Sequence, residues 1–309
     1  MEKRILVAID DSIHSKKAIE YAVKMRSVVT DLSYTLFSVQ PTISEYLVHD
    51  SNIDAKARSA LKEVAAKNEN ESKELLEGFK SKMIEKGVDE KSVDLITQPR
   101  IMGVAKDILN YARRNHYDAI VLGRRGISRL EEAFTGSVAN TVIEHANVIP
   151  VWAIDGEMAS NKIMVAIDGS ESALNAVDHL SFIVGDNPNA RFTLLHITPT
   201  LRDYCTIEFD AEGEIVEDVI TYGDKKCVDS FYVHAQQRFK AAGIREDRIV
   251  IREVKSTINI GKTIVDEAKK GNFGIVVVGR KGANESFFMG SVSRYIINKA
   301  SDCAVWLVP

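Results

Sequence analysis

The stretch from Ala119 to Ile154 is written twice in this chain, and that repetition limits the possible fold more than any other feature. Ala119-Ile120-Val121-Leu122 is a short apolar run that leads into Gly123-Arg124-Arg125-Gly126. After nine intervening residues comes Gly136-Ser137-Val138, which reads as a helix start. The segment closes on a second apolar run, Val148 to Ile154, that contains Pro150 and Trp152. The second copy runs from Ile275 to Val278, then Gly279-Arg280-Lys281-Gly282, Gly290-Ser291-Val292 and Ala304-Val305-Trp306-Leu307-Val308. A strand entering a glycine turn and then a helix N-terminus is a common seat for phosphate. Backbone N–H groups point at the anion, and glycine lets the chain approach it.

The repeat reaches the rest of the chain. Arg4 to Asp10 matches Lys162 to Asp168 at an offset of 158. Each Asp is followed by one residue and a serine, Ser12 or Ser170, placed to cap the helix that comes next. Second strands are Thr35–Val39 and Thr193–Ile197, each closed by a proline, Pro41 or Pro199, that turns the chain out of the sheet. A charged helix follows over Ala60–Ile84, with Gly87 as its C-cap, and its counterpart is Val228–Ala242 with Gly243. Leu201–Lys226 has little periodicity and reads as an extended loop or short hairpin. Third strands, Val93–Thr97 and Ile249–Val254, precede third helices at Gly103–Arg114 and Gly261–Lys270.

Apolar strands that alternate with helices imply a parallel sheet covered on both faces. The fold class is therefore α/β, as two repeated doubly wound five-stranded parallel-sheet domains. The 309 residues suit about two domains. They divide as 1–155 and 161–309, joined by a short polar link.

Composition excludes several classes. Hydrophobic residues make up 45% and charged residues 27%, an ordinary globular balance. The first half carries as many acidic as basic side chains and the second an acidic excess, so the chain is not expected to bind nucleic acid. No apolar stretch approaches the roughly 18 residues of a membrane span, and the N-terminal run Ile5–Ile9 is too short for a signal peptide. Cys205, Cys227 and Cys303 match no metal or redox spacing and read as free thiols, so the expected location is the cytoplasm. None of the seven histidines has a metal-ligand spacing, and no protein metal site is expected. His14 reads as a surface residue and His196 as a satisfied core residue.

In an open parallel sheet, ligands bind beyond the carboxyl ends of the strands where strand order reverses. If strands one and four are neighbours there, Asp10 and Gly123 share one crevice. Asp10 can then accept from a ribose hydroxyl or an adenine amine. The glycine loop and the helix start at Gly136-Ser137 can hold phosphates, Val39 can pack on a base, and Arg125 can neutralise charge. Arg124 and Arg129 either join it or point to solvent. The loop lacks the Gly-Lys-[Ser/Thr] ending of a P-loop, and no nucleophile elbow is present, so no catalytic residue is assigned.

The strand-end Asp, the Gly-x-x-Gly and the Gly-Ser after nine residues resemble the ATP-binding branch of the universal stress proteins. Across nearly its whole length the chain is similar to a tandem member of that family. The resemblance implies a Rossmann-like sheet ordered 3-2-1-4-5 in each half. It implies a stress-response protein that holds an adenine nucleotide, ATP with or without Mg. The residues implicated in the first half are the Ile9 backbone, Asp10, Val39, Gly123, Arg125, Gly126, Gly136, Ser137 and Val138. Their counterparts in the second half are Asp168, Ile197, Gly279, Lys281, Gly282, Gly290, Ser291 and Val292. There the pattern departs: seven residues, not nine, separate Gly282 from Gly290, and Lys281 stands in place of Arg125, so this site is read as partly degenerate. The resemblance also implies that the two halves pair through their last strands, and it leaves a homodimer of chains open. The rival readings are a protein-interaction scaffold with vestigial or non-nucleotide pockets and a slow ATPase.

Overall fold

The computed structural model describes residues 2–124, 137–157, 160–200, 203, 211–256, 258–282 and 289–309, with backbone alone at 137 and 211–217. The first half runs β1 (Lys3–Ala8), α1 (Ile13–Met25), β2 (Leu32–Val39), α2 (Glu45–Asp50), α3 (Ala55–Glu85), β3 (Val93–Gln98), α4 (Val104–Arg114), β4 (Ala119–Gly123), α5 (Ser137–His145) and β5 (Val151–Ile154). The second runs β6 (Ile163–Ile167), α6 (Glu171–Val184), β7 (Phe192–Thr198), α7 (Ala211–Ala241), β8 (Ile249–Lys255), α8 (Ile260–Lys270), β9 (Ile275–Gly279), α9 (Ser291–Lys299) and β10 (Ala304–Val308).

The ten strands of the described residues join in one sheet, ordered β3-β2-β1-β4-β5-β10-β9-β6-β7-β8. Each half keeps the order 3-2-1-4-5 with parallel neighbours, and β5 meets β10 antiparallel at the centre. Apolar side chains of alternate strand positions fall on opposite faces, so the sheet carries two cores. One lies under α1, α3, α6 and α7 and includes Tyr21, Phe79, Trp152, Leu180, Phe239 and Trp306. The other lies under α4, α5, α8 and α9 and includes Phe37, Ile108, Val142, Ile264 and Ile296. Both cores run through both halves.

The caps follow local chemistry. Ser12 accepts from the Ser15 N–H, and Ser170 from the Ala173 N–H at 3.1 Å. Asp54 caps α3 by accepting from the Ala57 N–H at 3.0 Å, which starts that helix before Ala60. Gly87 closes it at φ +87°, with its N–H on the Ile84 carbonyl and that of Val88 on Met83. This is the 6→1 and 5→2 pattern that needs a left-handed residue.

Three expectations are corrected. First, residues 211–226 are helical, not a loop or hairpin: α7 begins at Ala211 and continues through the expected Val228–Ala242. Gly213, Gly223 and β-branched residues lower its intrinsic propensity, while Phe231, Ala235 and Phe239 dock its C-terminal part on the sheet. The rest of the expected loop, Asp203 apart, lies outside the described residues. Second, the closing apolar run is strand only from Val151 to Ile154, and β5, the edge of its own half, pairs with β10 as the resemblance implies. Pro150 sits just ahead of the strand, so its missing N–H costs no ladder bond, and its carbonyl accepts from Ile120 at 2.9 Å. Third, His14 is half-buried, because the end of β4 passes directly over the first turn of α1. Among the described residues no helix is long and apolar enough to cross a membrane.

Candidate functional site

In the second half, the carboxyl ends of β6, β7 and β9 open into a cavity of about 630 Å³. Asp168, Ile197, Gly279, Lys281, Gly282, Gly290, Ser291 and Val292 all line it. Asp168 is the first residue past β6. Its Oδ1 accepts from the Ser170 hydroxyl at 2.6 Å and the Ser170 N–H at 3.1 Å, which fixes the carboxylate at the start of α6. Its Oδ2 faces the glycine loop: a Cβ built on Gly282 would lie 3.2 Å from that oxygen.

The two ends of the shortened loop meet. The Gly290 N–H donates to the Arg280 carbonyl at 2.9 Å, and a Cβ on Gly290 would come within 3.4 Å of the Gly282 nitrogen. The first turn of α9 therefore opens on the cavity with its unpaired N–H groups, an anion-favouring arrangement. The first glycine of the motif has another cause. A Cβ on Gly279 would lie 2.7 Å from the Ser172 carbonyl carbon, and one on Gly123 would lie 2.1 Å from the His14 oxygen. These two glycines let the strand ends cross α6 and α1.

Several lining residues escaped sequence reasoning: His196, Asp203, Asp224, Asn259 and Tyr295. His196 is buried and satisfied, with Nδ1 3.2 Å from the Ile167 carbonyl and Nε2 2.8 Å from Asp224 Oδ2. Both ring nitrogens are within hydrogen-bond reach of a partner oxygen. Asp203 accepts from the Thr200 N–H at 2.7 Å and the Ser256 hydroxyl at 3.1 Å. Asp224 lies on the part of α7 whose periodicity is too weak to place it from sequence. His196 carries a signal in its position beside Ile197 at the carboxyl end of β7.

The first half repeats the frame. β1 pairs with both β2 and β4, so Asp10 and Gly123 leave neighbouring strands at the switch point. Asp10 Oδ1 accepts from the hydroxyls of Ser12 at 2.5 Å and Ser15 at 2.6 Å. Burial pushes this carboxyl up, but the hydrogen bonds from Ser12 and Ser15 outweigh it and hold the pKa below the ordinary value. Ile9 donates its N–H to Phe37, and Val39 is half-buried at the end of β2. Ser137 and Val138 open α5, with Val138 exposed. Arg125, Gly126 and Gly136 lie outside the described residues, as do Arg129 and the side chain of Ser137.

The universal stress protein family model matches residues 1–155 and again residues 160–309. This chain belongs to the universal stress protein family.

Single-domain family members align with about half of it. Universal stress protein YxiE of Bacillus subtilis (strain 168) is 31% identical over 143 residues, 46% of this chain and 92% of YxiE. Universal stress protein Sll1388 of Synechocystis is 26% identical over 145 residues, 46% of this chain and 91% of Sll1388. A universal stress protein from Archaeoglobus fulgidus has the same fold throughout, with a TM-score of 0.65 at 20% identity over 99% of this chain and 97% of that one. A putative universal stress protein from Pseudomonas aeruginosa UCBPP-PA14 gives 0.57 at 14% identity, over 99% and 93%.

Arg124 does not take part in the site at the glycine loop. It is 1% exposed and ion-paired to Asp155 at 3.2 Å. Its repeat partner Arg280 is 2% exposed, and burial lowers the pKa of both guanidinium groups. In this universal stress protein the two arginines serve the junction between the halves. Among the described residues no three His, Cys, Asp or Glu side chains gather as a metal site would require.

Proposed function

We propose that this universal stress protein binds an adenine nucleotide, ATP with or without Mg, as a regulatory ligand in each half. The observation that carries the reading is the meeting, in one cavity, of the Asp168 carboxylate, the Gly279–Gly282 loop and the N-terminus of α9. The carboxylate suits the ribose or adenine, and Ile197 supplies an apolar wall for the base. The helix N-terminus and Lys281 suit phosphate. The first half has the same strands, the same capped carboxylate in Asp10 and a helix start at Ser137. The second-half cavity and the meeting of its loop ends argue against a vestigial pocket there, although two residues are missing from the loop.

The nucleotide is a ligand in this reading and not a substrate. His196 is the histidine of the described lining, and both of its ring nitrogens are already engaged. Binding changes which surface a protein partner meets. The test is to denature purified protein by heat, assay the supernatant for adenine nucleotide, and titrate ATP into stripped protein by calorimetry. Two sites per chain are expected. Asp168→Ala should remove one of them, and phosphate release should not exceed the buffer background. A flat isotherm for the wild-type chain would sink the proposal.

A further inference from the structure

Arg124 and Arg280 occupy equivalent places, each directly after the first glycine of its loop, yet each side chain leaves its own half. Arg124 donates to the carbonyl of Ala300, the residue that ends α9, as well as to Asp155. Arg280 donates to the carbonyls of Ile143, at 2.6 Å, and Glu144, in the last turn of α5. Ala300 is equivalent to Ala146, two residues past Glu144, so the two contacts fall at neighbouring positions of the repeat. The fold thus builds a similar crossed contact twice, each at the carboxyl end of the other half's last helix.

The helices these arginines hold are the ones that open the sites. α9 begins at Ser291, in the second-half cavity, and ends on the guanidinium that follows Gly123. α5 begins at Ser137, in the first-half motif, and ends on the guanidinium that follows Gly279. Each has nine residues and so spans about 13 Å. A helix that short moves as one body. Its carbonyl end carries partial negative charge, which a cation complements.

The backbone of Arg280 is also part of its own loop. Its carbonyl accepts from the Gly290 N–H, and its N–H donates to the Val308 carbonyl at 2.6 Å. A change in how the second-half loop closes therefore moves a residue fixed to the first-half helix. Among the described residues, Nε and Nη1 of Arg124 and Nε of Arg280 are buried without a hydrogen-bond acceptor. A buried donor left unmade is costly, so neither contact holds its helix end at a fully satisfied minimum.

We infer that Arg124 and Arg280 couple the two sites, so that ligand in one half shifts the phosphate-facing helix of the other and changes its affinity. The inference rests on the nucleotide reading above. Coupling of this kind is reciprocal, and a factor of about 5 or more between the affinities of one site with the other empty and filled is the usual scale.

The experiment uses the full chain, ATP and hydrogen exchange. In an Asp10→Ala chain, ATP fills the second half alone, and the amides in the last turn of α5 should exchange at least about threefold more slowly. Arg280→Lys keeps the charge but loses the planar fork, and should abolish that protection. The mirror measurement reads the last turn of α9 in an Asp168→Ala chain with and without Arg124→Lys, and it decides the matter if R280K does not fold. By calorimetry, wild-type affinities should depend on occupancy, and the R124K/R280K chain should bind at two independent sites. Two independent sites in the wild type, or protection that survives the lysine variants, would overturn the coupling. A flat wild-type isotherm overturns the nucleotide reading and the coupling with it, and is recognised by the loss of both sites.

Discussion

Trp152 and Trp306 lie directly opposite each other across β5 and β10 and stack with ring centroids 4.1 Å apart and planes 6° from parallel. The indole N–H of Trp152 donates to His179 Nε2 at 3.0 Å, and that of Trp306 to the Tyr21 hydroxyl at 2.7 Å. Tyr21 and His179 are equivalent positions on α1 and α6. Each tryptophan is therefore bonded to the first helix of the other half, and the sheet is continuous because both halves contribute to this cluster.

Removing one ring should be expensive. Trp306→Ala leaves a cavity in the shared core and strips the Tyr21 hydroxyl of its donor. The expected loss is about 3–5 kcal/mol of unfolding free energy. Equilibrium denaturation in urea measures it, and a loss below about 1 kcal/mol would show that the halves do not depend on this contact.

The same cluster predicts a pH dependence. His179 accepts a hydrogen bond at Nε2, and burial lowers its pKa from 6.5 to about 3. Above pH 6.5 the ring is neutral folded or unfolded, and stability is complete. Below that, the unfolded chain takes up a proton that the folded ring refuses. Stability should fall by about 1.4 kcal/mol per pH unit until about pH 3. Between pH 6.5 and 5.0 the wild type should thus lose about 2 kcal/mol more than His179→Phe, measured by urea denaturation at each pH.

The glycines of the motif should separate by role. Gly279→Ala places a Cβ 2.7 Å from the Ser172 backbone, so it should destabilise the fold by about 1–3 kcal/mol, in proportion to the strain. Gly290→Ala meets nothing closer than 3.4 Å. It should cost under about 1 kcal/mol as an N-cap change, yet weaken ATP at the second site. Thermal denaturation paired with calorimetry distinguishes the two. A stable Gly279→Ala chain would show that the strand end has room to move.

Arg124 and Asp155 form a buried pair at 3.2 Å. Burial raises the Asp155 pKa, and the Arg124 charge pulls against it. Arg124→Met leaves that carboxyl without its partner and should cost about 3–5 kcal/mol. Arg124→Met/Asp155→Asn should recover part of the loss, and a double-mutant cycle from denaturation curves gives the coupling. Strict additivity would mean that the pair contributes nothing.

Much of the fold was legible because it rests on short-range rules applied twice. Apolar runs of strand length, capping serines after Asp10 and Asp168, and glycines past α3 and α7 mark the elements wherever the chain is read. Part of α7 was not legible, since Gly213 and Gly223 obscure a helix held by tertiary burial. Within the candidate site, the residues of the motif could be found from spacing. Asp203 and Asp224 could not, because they lie in a stretch with too little periodicity to place them, whereas His196 carries a signal in its position beside Ile197.

From the sequence alone came the duplication, the α/β class, the strand ends that hold Asp10 and Asp168, and the glycine loops beside them. These depend on local propensity and on a period that repeats at an offset of 158. The tertiary structure alone decided which way Arg124 and Arg280 point, why Gly123 and Gly279 must lack a side chain, and that Gly282 and Gly290 still meet with two residues fewer between them. Each of those depends on which backbone lies across the way. That is set when the two halves join at β5 and β10 and the desolvated arginines find acceptors at the helix ends and Asp155, across the junction or beside it.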